Sequence, residues 1–138
     1  MKQVESQQYI ASIGGVFIYS KDPAALAAWY TKTLGLEFES DTEKGAFYLS
    51  FYYWDQDNKE KKRLVAWSIM KKDELDDNQP RQFMVNYRVK DMNKLVNHLK
   101  SLNIDIEGPN EYPGEGKFGW IHDIDGNKIE LWEDGFSL

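Results

Sequence analysis

The sequence predicts an α+β domain of two βαβββ modules, whose curved mixed sheets form a cleft with the helices outside. Three observations predict it. Residues 16–39, VFIYSKDPAALAAWYTKTLGLEFE, recur as residues 85–107, VNYRVKDMNKLVNHLKSLNIDIE. Each copy runs strand, capping Asp, helix and short strand, and self-similarity of this kind marks a repeated structural unit. Each copy is then followed by two strand-like runs joined by a polar turn. In register, Lys21-Asp22 matches Lys90-Asp91, Leu26 matches Leu95 and Tyr30 matches Leu99. After a one-residue deletion in the second copy, Leu36 matches Ile104 and Phe38-Glu39 matches Ile106-Glu107.

The 138 residues suffice for a single domain with its own core. Module one is placed at 12–70, a linker at 71–82 and module two at 83–133. Residues 1–11 read as a loose polar leader. Ile13–Tyr19 is a strand of β-branched and aromatic residues. Asp22-Pro23 starts a helix, because the Asp side chain can accept a backbone N–H and Pro is tolerated at the first helical position. That helix stops at Gly35, which can take the left-handed C-cap conformation. Its core stripe is Leu26, Trp29, Tyr30 and Thr33. Leu36–Glu39 is a short strand, Ala46–Trp54 a long aromatic one, Asp55–Lys62 a charged turn, and Arg63–Met70 the returning strand. KKDELDDNQPRQ, with Pro80, is the linker. Phe83–Val89 opens module two, Asp91 caps a helix carrying Leu95, Leu99 and Leu102, and Ile104–Glu107 is a strand. Gly108–Gly116 reads as a Gly/Pro-rich loop. Lys117–His122 and Lys128–Glu133 form a hairpin around Asp123–Asn127.

Composition narrows the function. A net charge of −6 argues against nucleic acid, which needs Lys and Arg gathered on one face. An acidic surface favours a cationic ligand over an anionic one. The absence of Cys excludes disulfides, thiolate metal sites and a Cys nucleophile. No stretch approaches the roughly 20 apolar residues of a membrane span, so no membrane partner is expected and a cytoplasmic location is the default. Five Trp, eight Tyr and seven Phe fit either an aromatic-lined cavity or a core that uses aromatics in place of Leu.

Strand alternation sorts the side chains. Val16 and Ile18 pack under the first helix, so Phe17 and Tyr19 point the other way. Val85, Tyr87 and Val89 take the helix side, so Asn86 and Arg88 point the other way. Two polar residues mid-strand face either solvent or a pocket that uses them. If His122 lies opposite Lys128, then Trp120 lies opposite Glu130, and Trp120, His122, Glu130 and Trp132 share a face. Glu130 is then either a solvent-facing residue or a cavity carboxylate able to bind metal, accept a proton or pair with Arg88. His122 is either structural or a partner of Glu130 as ligand or general base. No nucleophile elbow, phosphate-cradling loop or dinucleotide fingerprint is present.

The first strand and helix start, the repeat in module two and the ending GWIHDIDGNKIELWE together resemble the vicinal oxygen chelate superfamily. Glyoxalases, extradiol dioxygenases and bleomycin-resistance proteins belong to that superfamily. The resemblance implies paired βαβββ modules around a cleft. It also implies, in metal-dependent members, a divalent cation held by a His or Gln about seven residues before each capping Asp and by a Glu on each last strand. Here those positions are Gly15, Met84, a place near Trp67 and Ser68, and Glu130, so Glu130 is the only matched metal ligand. The leading expectation is a metal-independent, small-molecule-binding protein with an aromatic cleft and no cofactor, similar to the bleomycin-resistance branch. Phe17, Tyr19, Trp67, Asn86, Arg88 and Trp120 would bind an aromatic or cationic ligand. The alternative is a glyoxalase-like lyase or isomerase using Glu130, with His122, as base or as ligand to a divalent metal. A third class is a structural or regulatory protein without ligand. The sequence leaves a homodimer open.

Overall fold

The computed structural model describes residues 13, 15–73 and 83–135. The polar leader and most of the expected linker lie outside the described residues. Ten elements follow one another as the repeat requires. Module one is β1 (Gly15–Ser20), α1 (Pro23–Leu34), β2 (Glu39–Asp41), β3 (Ala46–Trp54) and β4 (Lys62–Lys71). Module two is β5 (Val85–Arg88), α2 (Met92–Ser101), β6 (Glu107–Tyr112), β7 (Gly116–His122) and β8 (Lys128–Asp134). The two sheets have the same plan, β1-β4-β3-β2 and β5-β8-β7-β6. The outer pairs β1–β4 and β5–β8 are parallel and the remaining pairs antiparallel.

The helix starts behave as their sequences dictate. Asp22 Oδ1 accepts from the Ala25 N–H at 3.1 Å, and Asp91 Oδ1 accepts from the Lys94 N–H at 3.1 Å. Gly35 ends α1 with φ +73°, a conformation that costs a side chain and costs glycine nothing. Two boundaries differ from expectation. The short strands begin later, at Glu39 and Glu107, because the residues before them leave the helices to pack on the core. The expected Gly/Pro loop contains β6, which tolerates Pro109 because the ladder shifts register between Glu107 and Asn110.

Each helix covers one face of its sheet. Leu26, Ala27 and Tyr30 of α1 and Met92 and Leu99 of α2 join Ile18, Ile69, Ile121, Ile129 and Leu131 in one buried cluster. Tyr30 unites the modules. Its ring lies 5.0 Å from Trp67 of β4 and 6.3 Å from Tyr87 of β5. Its hydroxyl donates to Asp123 Oδ2 at 2.8 Å, in the turn after β7. Asp123 also accepts from the Asp125 and Asn127 backbone N–H groups and from Asn127 Nδ2. One buried carboxylate therefore builds the β7–β8 turn and ties it to α1. His98 of α2 meets the Lys32 carbonyl of α1 at 3.0 Å, a second link between the modules.

Two predictions follow from this core. Tyr30→Phe strips a buried hydrogen bond from a carboxylate and should destabilise the protein by about 2 kcal/mol in denaturant titration. The Tyr87 hydroxyl, buried without a well-formed hydrogen bond, should be dispensable, so Tyr87→Phe is expected to be neutral or stabilising. Burial above all, reinforced by the Asp123 charge, holds both Tyr30 and Tyr87 well above the usual tyrosine range. Unfolded tyrosines release their protons near pH 10 while these two keep theirs. Stability present below that pH should therefore fall above it, by about 1.4 kcal/mol per pH unit per tyrosine. Denaturation midpoints measured across this range should show that fall, and Tyr30→Phe should lessen its steepness.

Candidate functional site

With one face of each sheet under a helix, the other face stays open. The register decides what it carries. Asn86 pairs with Glu130, and Glu130 with Trp120. Arg88 pairs with Trp132, and Trp132 with Phe118. These two rows cross the middle of the second sheet, and the alternate residues Ile121, Ile129 and Leu131 are buried beneath.

Glu130 is held at the centre of the first row by neutral donors. Asn86 Nδ2 donates to Oε1 at 2.7 Å, and the Trp120 indole N–H donates to Oε2 at 2.9 Å. Each carboxylate oxygen keeps a further acceptor site. The carboxylate is half-buried and fixed from both sides, with capacity left for a donor from outside. The second row is a stack. Phe118 and Trp132 lie 5.8 Å apart at 13°, and Tyr112 meets the Phe118 edge at 5.8 Å. The Arg88 guanidinium sits 5.0 Å over Trp132 and donates to Asp134 Oδ2 at 2.8 Å. The expected Arg88–Glu130 pair is therefore replaced by Arg88–Asp134, because Asp134 extends the strand one residue beyond its expected end.

The other expected residues are placed as follows. Phe17 and Tyr19 stand on the open face of the first sheet and make no ring contact or hydrogen bond with the Glu130 group. His122 shares the face of Trp120 but lies exposed at the strand end, opposite Lys128, without a hydrogen bond to Glu130. Trp67 corrects the expectation of a stacking surface. It is 2 % exposed, packed between Tyr30, Phe38 and Tyr87 beneath the helices. The reason is register: β4 runs parallel to β1 with Trp67 beside Val16, on the helix side. Ser68 pairs with both Phe17 and Tyr48 and is the module-one counterpart of Glu130. Sequence reasoning missed Phe118, Tyr112 and Asp134. Phe118 was readable by alternation from Trp120, whereas Tyr112 was hidden inside the apparent loop.

These residues do not fit the metal that the fold implies. Gly15 offers no donor, and a Cβ there would come within 2.8 Å of the Ala66 carbonyl oxygen, so the strand has no room for a ligating side chain. Met84 offers a thioether, a poor partner for hard divalent cations. Among the described residues no three His, Asp or Glu side chains converge.

A family model described as the glyoxalase/bleomycin resistance protein/dioxygenase superfamily matches residues 10–131. No curated protein matches the chain. Solved structures share its fold. An antibiotic-binding protein, TnmS3, from Streptomyces sp. CB03234 is 18 % identical over 94 % of this chain and 100 % of that one, with TM-score 0.63. A bleomycin resistance determinant encoded on transposon Tn5 is 19 % identical over 88 % and 97 %, with TM-score 0.63. A lactoylglutathione lyase from Agrobacterium tumefaciens is 17 % identical over 94 % and 100 %, with TM-score 0.62. With the family model covering both modules, this chain belongs to the glyoxalase/bleomycin resistance protein/dioxygenase superfamily.

Proposed function

We propose that the protein binds a small, flat, cationic or aromatic molecule on the open face of its second sheet, without a metal. One observation carries this reading. A carboxylate stands in the middle of an aromatic sheet face, oriented by Asn86 and Trp120 and left without a charged partner of its own among the described residues. A ligand N–H can reach the free acceptor sites of Glu130 while its ring lies on Trp120, Phe118 or Trp132. Charge-assisted hydrogen bonding and cation–π attraction then act on the same group. The likeness in fold to antibiotic-binding and bleomycin-resistance proteins supports the same class of ligand.

The chemistry of the site favours binding over turnover. A metal needs several converging donors, and among the described residues no group of three His, Asp or Glu side chains gathers around Glu130. The glyoxalase-like lyase or isomerase reading would require His122 or a second donor to close on Glu130, and His122 lies exposed one row on, opposite Lys128.

A panel of planar amines and neutral and anionic aromatics, titrated against tryptophan fluorescence, tests the reading. Cationic rings should bind best, and Glu130→Gln should weaken them by about 1–3 kcal/mol, roughly 5- to 150-fold. Equal binding by Glu130→Gln would remove Glu130 from the site. Intact binding with lost turnover would transfer the assignment to the enzyme reading. Elemental analysis of untagged protein should show well below one transition metal per chain. One tightly held zinc, nickel or iron per chain would overturn the metal-free reading.

A further inference from the structure

The Arg88 guanidinium is fixed from two sides although its side chain is 67 % exposed. Its central carbon sits 5.0 Å from the centre of the Trp132 ring, and its Nε donates to Asp134 Oδ2 at 2.8 Å. A guanidinium carries its five N–H donors in a planar fork. Asp134 takes the donor on Nε. The donors on the two terminal nitrogens make no hydrogen bond among the described residues. An exposed ion pair adds little to stability, so the ring and Asp134 orient this group more than they hold the fold. What they leave is a preset terminal edge, whose two parallel N–H bonds match the two oxygens of a carboxylate. The placement of that edge is also fixed. Asn86 and Arg88 are alternate residues of β5, paired with Glu130 and Trp132, alternate residues of β8. Arg88 therefore stands on the same sheet face as Glu130, one row on, about 6.6 Å along the strands.

We infer that the ligand of this face is zwitterionic, with an amine taken by Glu130 and a carboxylate taken by the terminal edge of Arg88. The inference rests on the Glu130 assignment above and adds the second charge. Two features select a zwitterion. The first is charge balance. Arg88 is matched by Asp134, and Lys128 meets Glu107 at 3.9 Å, which leaves Glu130 as the unmatched charge of the face. A lone anion meets a net negative surface there and is repelled. An anion joined to an amine that settles on Glu130 is not. The second is spacing. The two charged positions lie a row apart, which suits an amine and a carboxylate at opposite ends of a ring. The two groups of an α-amino acid, carried on one carbon, are too close together to reach both. A doubly charged phosphoryl group would meet more repulsion from Glu130 and Asp134 than a carboxylate does, which favours the carboxylate.

Isothermal titration calorimetry of the full chain with three probes tests it: para-aminomethylbenzoate, benzylamine, which lacks the carboxylate, and benzoate, which lacks the amine. Para-aminomethylbenzoate should bind roughly tenfold or more tighter than benzylamine, and benzoate weakest of the three. Arg88→Gln should erase the difference between the two amines. Arg88→Lys, which keeps the charge and loses the fork, should restore only part of it. Arg88 is exposed, so both variants should keep the near-UV circular dichroism of the buried aromatics. Equal binding of the two amines by the unaltered chain would overturn the inference. So would an undiminished preference for para-aminomethylbenzoate in Arg88→Gln, full restoration by Arg88→Lys, or tighter binding of the corresponding phosphonate. The two assignments fail differently. Equal binding of the amines, with benzylamine weakened by Glu130→Gln, removes Arg88 and keeps Glu130. Benzylamine binding that Glu130→Gln leaves undiminished removes both.

Discussion

The hydrogen bond from the Tyr30 hydroxyl to Asp123, 93 residues away in sequence, is the contact on which the arrangement of the two modules depends. The helix stripes of the two modules share one buried cluster. Tyr30 inserts its ring among Trp67 and Tyr87, so the apolar part of the side chain belongs to both sheets. Its hydroxyl then ends on a carboxylate that already holds the β7–β8 turn together. A charge this buried must be fully satisfied or it becomes a large penalty. The turn and the docking of module one are thus energetically one event. The consequence reaches the open face of the second sheet, since β7 and β8 carry Trp120 and Glu130. Their register is set by a turn whose last hydrogen bond comes from the other module.

Around that joint the two sheets are alike in plan and unlike in chemistry. The positions occupied by Asn86, Glu130 and Trp120 in one sheet are occupied by Phe17, Ser68 and Tyr48 in the other. One face presents an oriented anion within an aromatic stack. The other presents rings and a small hydroxyl. Strand alternation places both sets, and side-chain identity alone makes one face polar and the other apolar.

Much of this was readable before any coordinates. The repeat, the capping Asp22 and Asp91, the Gly35 stop and the terminal hairpin are local signals whose physics does not depend on distant contacts, and they specify the architecture. The sorting of Asn86, Trp120 and Glu130 from Tyr87, Ile129 and Leu131 followed from a period of two anchored by one helix. Trp67 failed because its face is set by a parallel pairing to β1, a non-local choice, and a family position is a weaker guide than register. The partner of Arg88 failed for a similar reason: the strand end at Asp134 is fixed by pairing with Gly116 and not by composition. Tyr30 was legible as a core residue and illegible as a bridge, since nothing local names an acceptor in the other module.

The matched trios also make the duplicated fold a ready template for transplantation. Phe17 and Ser68 sit on backbone positions that already place side chains as Asn86 and Glu130 are placed, beside a ring at Tyr48 where Trp120 stands in the other sheet. Phe17→Asn, Tyr48→Trp and Ser68→Glu would write the second sheet's Asn86–Glu130–Trp120 row onto the first without moving a strand. A chain so altered would carry the same carboxylate, amide and indole row on both of its sheets. The symmetry of the backbone, rather than any one residue, is what makes the two surfaces interchangeable.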